Sequence, residues 1–305
     1  MVDCYKLSIR GEVPLHGETF VSGGKNTSLA VVPAVLLCDE PCTIENLPDI
    51  EDIHVLYRIL THLGAKVDYN NKERRMVIDP TTVDKTDVPF AYSQQMRASY
   101  YLMGALFGRY GEAQVGYPGG CDIGSRPIDQ HIKGFRLLGG EILDESGMLH
   151  IKGTLSGSIV NFDMITVGGT INVMLAAARA KGNTVLMHAA KEPHVVDVAS
   201  FLNSMGANIK GAGTDTIRIK GVPHLHGTSY TVIPDQIEAG TLMIAAAATR
   251  GDVLIHGCIP THMEALTAKL LEMGVFVNSQ DDRIRVRLNK GHRSIRLTTQ
   301  EYPGF

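Results

Sequence analysis

One pattern of apolar and polar positions recurs four times along the chain. Each copy opens with a stretch that is apolar at nearly every position and continues through a turn and a short strand to a proline. Apolar residues then recur three or four positions apart, as in residues 53–63. Continuous apolarity is typical of a central helix, and the second spacing is typical of a helix with one buried face. Each copy is therefore predicted to contain a buried helix, a strand and a surface helix.

A glycine and an alternating hairpin follow each predicted surface helix. These glycines are Gly64, Gly139, Gly206 and Gly274. They recur about every 70 residues, which indicates an internal structural repeat. Glycine enters the left-handed region at little cost, so a glycine after the last apolar position is the usual helix stop. In the last copy, Thr261 and Glu264 have the spacing of a capping box, which predicts that the surface helix starts there.

The repeats predict an α/β fold with two bodies of unequal completeness. Three copies, over residues 22–232, would form one complete body. The fourth copy would form a partial second body from residues 1–21 and 233–305, with a strand over roughly residues 3–20. One repeat cannot bury its apolar helix alone. We therefore expect either further units of the same kind beyond the chain or a partner chain that covers this helix.

Composition and charge narrow the class of protein. The chain has 305 residues and a net charge of −3, which excludes a protein built mainly to coat nucleic acid or an anionic membrane. Its longest apolar runs are far shorter than the 18 or so residues of a membrane span. The cysteine count is five, and no CxxC pair occurs. We therefore predict no disulfide framework, no metal site and a cytoplasmic location. No cofactor is predicted.

The strongest candidate for chemistry is Cys121, in the long connection that begins at Pro118. The loop Pro118–Pro127 is rich in glycine, and Arg126 could stabilise a thiolate. A mobile loop on a rigid scaffold is a common place for a reactive group. The alternative is an incidental surface thiol in a glycine-rich turn. The remaining cysteines are predicted to be core residues. They are Cys4, Cys38, Cys42 and Cys258.

Further candidates lie near predicted helix starts. Lys25 follows two glycines, where free backbone amides and a point charge suit an anion, although a simple capping turn explains them equally well. Arg97 could clamp phosphate or carboxylate, or merely cap a carbonyl. Asp235 and Glu238 could orient a sugar, or merely favour a helix N-terminus electrostatically.

Four motifs of this chain together resemble the UDP-N-acetylglucosamine enolpyruvyl transferase family. They are SGGKN, PGGCDIGSRPIDQH, KEPHVVD and VIPDQIEAGT. The resemblance covers the whole chain and implies an inside-out α/β barrel fold of βαβαββ units. Family members have two bodies of three units each, with the substrates in the cleft between them. At the repeat length found here, that would place about 115 residues after Phe305.

The resemblance implies transfer of the enolpyruvyl group of phosphoenolpyruvate to the 3-hydroxyl of UDP-N-acetylglucosamine, with release of phosphate. This is the first committed step of peptidoglycan precursor synthesis. Cys121 matches the family's general acid, which is also the position alkylated by fosfomycin. The residues that match phosphoenolpyruvate-binding positions are Lys25, Arg97 and Arg126. Those that match UDP-sugar-binding positions are Asn26, Arg126, Pro127, Ile128, Asp129, Gln130, His131, Thr166, Val167, Gly168, Asp235 and Glu238.

The resemblance also raises an expectation about activity. In the family, a general-base aspartate and two further arginines come from the segment that would follow Phe305. Without them, we expect the 305-residue chain alone to be inactive. Two alternatives are a non-catalytic module that binds UDP-sugar, and a fragment whose fourth repeat needs a second chain.

Overall fold

A computed structural model describes residue 6 and residues 8–119, 127–288 and 291–304. The chain divides into two compact units, one of Gly23–Ile233 and the other of Met1–Ser22 with Pro234–Phe305. We call these the continuous unit and the discontinuous unit.

Within each repeat, the helices and hairpins follow one another in the predicted order, but the strand predicted over roughly residues 3–20 begins only at His16. The helices are α1 (Lys25–Ala34), α2 (Glu51–His62), α3 (Phe90–Ser93), α4 (Tyr101–Tyr110), α5 (Asp129–Leu137), α6 (Val167–Ala177), α7 (Pro193–Ser204), α8 (Gln236–Ala248) and α9 (Glu264–Glu272). The strands are β1 (His16–Phe20), β2 (Cys42–Glu45), β3 (Lys66–Asn70), β4 (Arg75–Asp79), β5 (Asp87–Val88), β6 (Glu112–Gly116), β7 (Gly140–Glu145), β8 (Met148–Gly153), β9 (Ile159–Asn161), β10 (Asn183–Met187), β11 (Asn208–Lys210), β12 (Thr216–Lys220), β13 (Ser229–Thr231), β14 (Asp252–His256), β15 (Phe276–Gln280) and β16 (Arg283–Arg287). In the described residues, no helix is both long enough and apolar enough to cross a membrane.

Four sheets confirm the predicted α/β repeat. Their strand orders are β13-β2-β4-β3, β5-β6-β8-β7, β9-β10-β12-β11 and β1-β14-β16-β15. In each sheet, the strand that follows the apolar helix pairs antiparallel with the hairpin. It also pairs in parallel with a short strand from another part of the chain. The sequence analysis did not predict β5, β9 or β13, because two or three residues are too few to show alternation.

The predicted helix stops are confirmed. Gly64, Gly139, Gly206 and Gly274 have φ angles of +96°, +98°, +97° and +88°, all in the left-handed region. The predicted capping box is wrong. Residues Pro260–Met263 form a turn of 3₁₀ helix, and α9 begins only at Glu264 without a side-chain cap. Thr261 therefore lies inside the preceding turn.

Three apolar helices, α1, α4 and α6, form the core of the continuous unit. Their residues are buried over nearly the whole of each helix. Helices α4 and α6 approach closely at two glycines of α4. A Cβ atom at Gly104 would lie 2.3 Å from the Asn172 backbone oxygen, and one at Gly108 would lie 3.1 Å from Ala176 Cα. Only glycine allows these two backbones to come so near.

An ionic cluster joins the C-terminal ends of these three helices. Arg179, just after α6, donates to the Leu37 carbonyl at 2.7 Å and to Asp39 Oδ1 at 3.1 Å. Arg109, near the end of α4, donates to the Leu36 carbonyl at 3.0 Å and lies 3.6 Å from Asp39. Leu36 and Leu37 belong to the 3₁₀ turn that follows α1. The cluster therefore links all three repeats of the unit.

We expect Asp39→Ala to lower the free energy of unfolding by about 2 kcal/mol at pH 7, because it leaves two largely buried arginines without their carboxylate.

Burial alone would raise the pKa of Asp39, but the hydrogen bond from Arg179 and the charge of Arg109 outweigh it, so this pKa is lowered. A carboxyl group with a lowered pKa stabilises the folded protein at pH values above the ordinary pKa of aspartate. This contribution is lost as the pH falls through the folded-state pKa. The difference between wild type and variant should therefore shrink in acid urea titrations. Glu73→Ala, which removes an exposed ion pair to Arg75, should change stability by less than about 0.5 kcal/mol. Equal losses of stability in Asp39→Ala and Glu73→Ala would contradict a stabilising role for the Asp39 cluster.

The discontinuous unit contains one apolar helix, α8. Its Ala239, Met243 and Ala246 are buried against the sheet that contains β1 and β14, whereas Ile237 and Ile244 are 60% and 50% exposed. Cys38, Cys42 and Cys258 are buried, as predicted for core cysteines. Cys4 lies outside the described residues.

Candidate active site

The N-terminal ends of α1, α4 and α6 face away from the Asp39 cluster, where their C-terminal ends meet. Helix α4 packs against both α1 and α6. Lys25 is the first residue of α1, Arg97 opens the 3₁₀ turn that leads into α4, and Thr166 is the N-cap of α6.

These helix starts suit an anionic ligand. Neither α1 nor α6 has an acidic residue in its first turn, and neither does the 3₁₀ turn before α4. Free backbone amides and the helix dipoles therefore add to the charges of Lys25 and Arg97. The surface helices α2 and α5 do carry acidic residues in their first turns, and one of these, Asp52, lies beside Lys25.

Lys25 and Asn26 are exposed at the start of α1. The ammonium group of Lys25 lies 2.7 Å from Asp52 Oδ2, and its side chain is 52% exposed. The carboxylate orients this cation near the helix N-terminus, and about half of the side-chain surface is exposed.

Arg97, His131 and Gly168 come together around Tyr100. The guanidinium carbon of Arg97 lies 5.9 Å from the centroid of the Tyr100 ring, and the His131 ring packs edge-on against the same ring at 4.8 Å. A Cβ atom at Gly168 would lie 3.0 Å from His131 Nε2 and 3.1 Å from the Tyr100 hydroxyl. These residues were predicted from separate motifs, and the packing of α4, α5 and α6 makes them neighbours.

His131 is held in its neutral form. Burial lowers its pKa to about 4, and the positive charge of Arg97 acts in the same direction. At neutral pH this imidazole is therefore a hydrogen-bonding group without charge.

The start of α5 is held by a polar network. Gln130 Nε2 donates to Asp129 Oδ2 at 2.7 Å and to Asp163 Oδ2 at 3.0 Å, and Gln130 Oε1 accepts from the Asp163 amide at 3.0 Å. Lys133 donates to Asp163 Oδ1 at 2.6 Å, and this hydrogen bond together with that from Gln130 lowers the pKa of Asp163. The segment Pro127–His131 is thereby fixed against the loop that precedes α6. Thr166, at the end of that loop, accepts from the Gly169 amide at 3.2 Å.

Asp235 and Glu238 lie in the discontinuous unit, at the start of α8. Asp235 caps the helix by accepting from the amides of Ile237 at 2.7 Å and Glu238 at 3.1 Å. Glu238 accepts from the Ser22 amide at 2.8 Å and from its hydroxyl at 2.5 Å. Both acids therefore have structural roles beside the point where the chain passes between units. Their predicted role in UDP-sugar binding stays a prediction.

Cys121 and Arg126 lie outside the described residues, so their predicted roles also stay predictions. The sequence analysis missed two buried polar residues. Asn172, inside α6, contacts His131, and its only signal is a lone amide in an apolar helix. Asp197, on α7, accepts from the Tyr230 hydroxyl at 2.6 Å and from the Ile233 amide at 3.3 Å. In the sequence, Asp197 appears only as the last residue of the KEPHVVD motif.

Comparison with known proteins agrees with this architecture. The family model for EPSP synthase (3-phosphoshikimate 1-carboxyvinyltransferase) matches residues 9–305. UDP-N-acetylglucosamine 1-carboxyvinyltransferase 3 of Caldanaerobacter subterraneus subsp. tengcongensis is 56% identical over 98% of this chain and 72% of its own length. The UDP-N-acetylglucosamine 1-carboxyvinyltransferase of Clostridium botulinum is 53% identical over the same shares.

Solved structures show the same fold. The enolpyruvyl transferase NikO from Streptomyces tendae superposes with a TM-score of 0.84 at 26% identity, covering 97% of this chain and 71% of its own. An EPSP synthase from Acinetobacter baumannii gives a TM-score of 0.72 at 19% identity over 90% of this chain and 65% of its own, a likeness of fold alone. The chain therefore belongs to the EPSP synthase family of 1-carboxyvinyltransferases.

Proposed function

We propose that this protein transfers the enolpyruvyl group of phosphoenolpyruvate to the 3-hydroxyl of UDP-N-acetylglucosamine and releases phosphate. The observation that carries the proposal is the placement of Lys25, Arg97 and Thr166 at or just before the starts of the three buried apolar helices α1, α4 and α6. The names of the relatives at 53–56% identity supply the substrates.

The proposed reaction is an addition followed by an elimination. In the addition, the sugar oxygen bonds to C2 of phosphoenolpyruvate, a general base takes the hydroxyl proton, and the Cys121 thiol gives its proton to C3. In the elimination, the bond from C2 to the phosphate oxygen breaks, a base takes a proton from C3 so that the C2–C3 double bond forms again, and inorganic phosphate departs. Negative charge on the phosphate and carboxylate persists throughout, so fixed cations around them are the main requirement.

The proposed roles divide the residues into two groups. Lys25, Arg97 and Arg126 would hold the phosphate and carboxylate of phosphoenolpyruvate, where helix N-termini add favourable dipoles. The wall of Pro127–His131 with Thr166–Gly168 would hold the UDP group, and Asn26 would contact the sugar. The absence of a side chain at Gly168 supports this assignment, because a Cβ there would cover the Nε2 edge of His131.

We also infer a cytoplasmic location, which the buried free thiols Cys38, Cys42 and Cys258 support. As a partner we propose a polypeptide that covers α8. Support for it comes from the exposed Ile237 and Ile244 on a helix whose equivalents α1, α4 and α6 are buried.

The test of the proposed function is phosphate release from phosphoenolpyruvate by the full chain, measured with and without UDP-N-acetylglucosamine. Release that requires both substrates would support the transferase and would overturn the expectation that the 305-residue chain alone is inactive. Lys25→Ala should raise the KM for phosphoenolpyruvate about tenfold, because it removes a charge-assisted contact. Lys72→Ala, in the exposed turn between β3 and β4, should leave the KM unchanged.

Calorimetric titration with UDP-N-acetylglucosamine separates the proposed enzyme from the alternative. Binding without phosphate release would agree with a chain that is inactive alone, and it would leave the non-catalytic UDP-sugar-binding module as the alternative. A folded protein that shows neither release nor binding would contradict both.

A further inference from the structure

Asn172 is a fully buried amide at the junction of three elements that line the candidate site. It lies on α6, where Thr170 is the other buried polar residue. Its Oδ1 accepts from the backbone amide of Gly104 at 2.8 Å, and its Nδ2 donates to the Tyr100 carbonyl at 2.7 Å. The same Nδ2 lies 2.9 Å from His131 Nδ1.

The two backbone partners fix the orientation of the amide. A backbone N–H can only donate and a backbone carbonyl can only accept. Asn172 must therefore place its oxygen toward Gly104 and its nitrogen toward Tyr100, because the reverse orientation would oppose two donors at one contact and two acceptors at the other. The flipped amide would satisfy neither group.

This orientation fixes the protonation of His131. One hydrogen of the Asn172 NH₂ group is used by the Tyr100 carbonyl, and the other points at Nδ1 of the imidazole. Nδ1 must accept, so it carries a lone pair, and in a neutral ring the proton then resides on Nε2. The opposite edge of the ring, Cε1–Nε2, faces Gly168, since a Cβ atom there would lie 3.0 Å from both of these ring atoms.

We propose that Asn172 is a positioning residue that holds His131 as a neutral imidazole with its proton on Nε2, so that the ring offers one hydrogen-bond donor to the nucleotide sugar beside Gly168. The ligand in this statement rests on the proposed function. The protonation state does not, because it follows from contacts within the free protein. The lowered pKa of His131 agrees with a ring that remains neutral.

The first measurement reads the ring directly. A long-range ¹H–¹⁵N correlation spectrum of the ¹⁵N-histidine-labelled full chain at pH 7 reports the protonation of each ring nitrogen. The His131 signals are assigned as those missing from His131→Gln. We expect an unprotonated Nδ1 and a protonated Nε2. An Nδ1–H tautomer or an imidazolium ring in the wild-type protein would overturn the proposal without any need for a variant at Asn172.

Asn172→Asp is the sharpest variant. It keeps the shape of the side chain and an oxygen for the Gly104 amide, but it replaces the donor that faces His131 with an acceptor. We expect the unprotonated Nδ1 signal to disappear and the dissociation constant for UDP-N-acetylglucosamine to rise about tenfold. Asn203→Asp is the matched control. Asn203 also makes two hydrogen bonds to backbone groups, both of Ile209.

A double-mutant cycle separates positioning from simple destabilisation. If Asn172 acts through His131, Asn172→Asp should weaken binding no further in a His131→Gln background. An equal weakening in both backgrounds would overturn the proposal. If the wild-type chain does not bind UDP-N-acetylglucosamine, the proposed function fails, whereas the spectrum of the free protein still decides the tautomer.

Discussion

Phosphate release by a Cys121→Ala variant is expected to fall by at least about a hundredfold, with little change in the binding of UDP-N-acetylglucosamine. General acid catalysis typically contributes a factor of about 10²–10⁴ to the rate, and alanine cannot supply the proton. If the thiol protonates C3 of phosphoenolpyruvate, its removal affects the transition state and not the contacts with the nucleotide. Steady-state phosphate release and calorimetric titration of the same preparation measure the two effects separately.

The matched control is Cys258→Ala. The Cys258 thiol is buried and donates to the Ile255 carbonyl at 3.5 Å, and burial raises its pKa to about 11. A thiol in this environment is unreactive and acts as a small core side chain. We expect Cys258→Ala to retain full activity after a modest loss of stability. A Cys121→Ala protein that turns over at the wild-type rate would rule out Cys121 as the general acid.

Gly104→Ala is expected to lower the free energy of unfolding of the continuous unit by about 3 kcal/mol. The new Cβ would lie 2.3 Å from both the backbone oxygen and Oδ1 of Asn172. Helices α4 and α6 would have to separate, because a backbone atom cannot move aside as a flexible side chain can. The hydrogen bond from the Gly104 amide to Asn172 would be strained as well. Urea denaturation followed by circular dichroism measures the loss.

Gly240→Ala in α8 separates this clash from the general effect of the substitution. A Cβ at Gly240 would meet only the ends of Met263 and Leu266, at 3.1 and 3.2 Å. Alanine is favoured over glycine within a helix by about 1 kcal/mol, so Gly240→Ala should be neutral or stabilising. Similar losses of stability in Gly104→Ala and Gly240→Ala would show that the contact between α4 and α6 at Gly104 tolerates a Cβ atom.

The repeat was predictable from the sequence because each of its parts has a local signal. A helix that is apolar all round, a helix with one apolar face and a glycine stop are each visible within about 20 residues. The short parallel strands were not predictable. β13, for example, has three residues and pairs with β2 from the start of the continuous unit. Only the tertiary fold identifies such a segment as a strand.

The candidate site also has a part that could be predicted from the sequence and a part that could not. Lys25 and Arg97 could be chosen from sequence because a cation at the start of an apolar helix is unusual. The role of Asn172 could not, because it depends on contacts with Tyr100, Gly104 and His131, which lie 41 to 72 residues away in the chain. Thr261 illustrates the opposite error. Thr261 and Glu264 have the spacing of a capping box, but residues Pro260–Met263 form a 3₁₀ turn.

The discontinuity of one unit sets the order in which the protein can fold as it is synthesised. β1 leaves the ribosome early, yet its partner β14 begins at Asp252, long after β1 is complete. The continuous unit is made in between, and its two ends are joined by a hydrogen bond of 2.8 Å from the Gly24 amide to the Ile233 carbonyl. It can therefore close as soon as Ile233 has emerged, while β1 waits unpaired. An unpaired strand invites aggregation. The five residues of β1 include a glycine and Glu18 and only one large apolar side chain, Phe20, so the waiting strand is short and poorly suited to pairing with other chains.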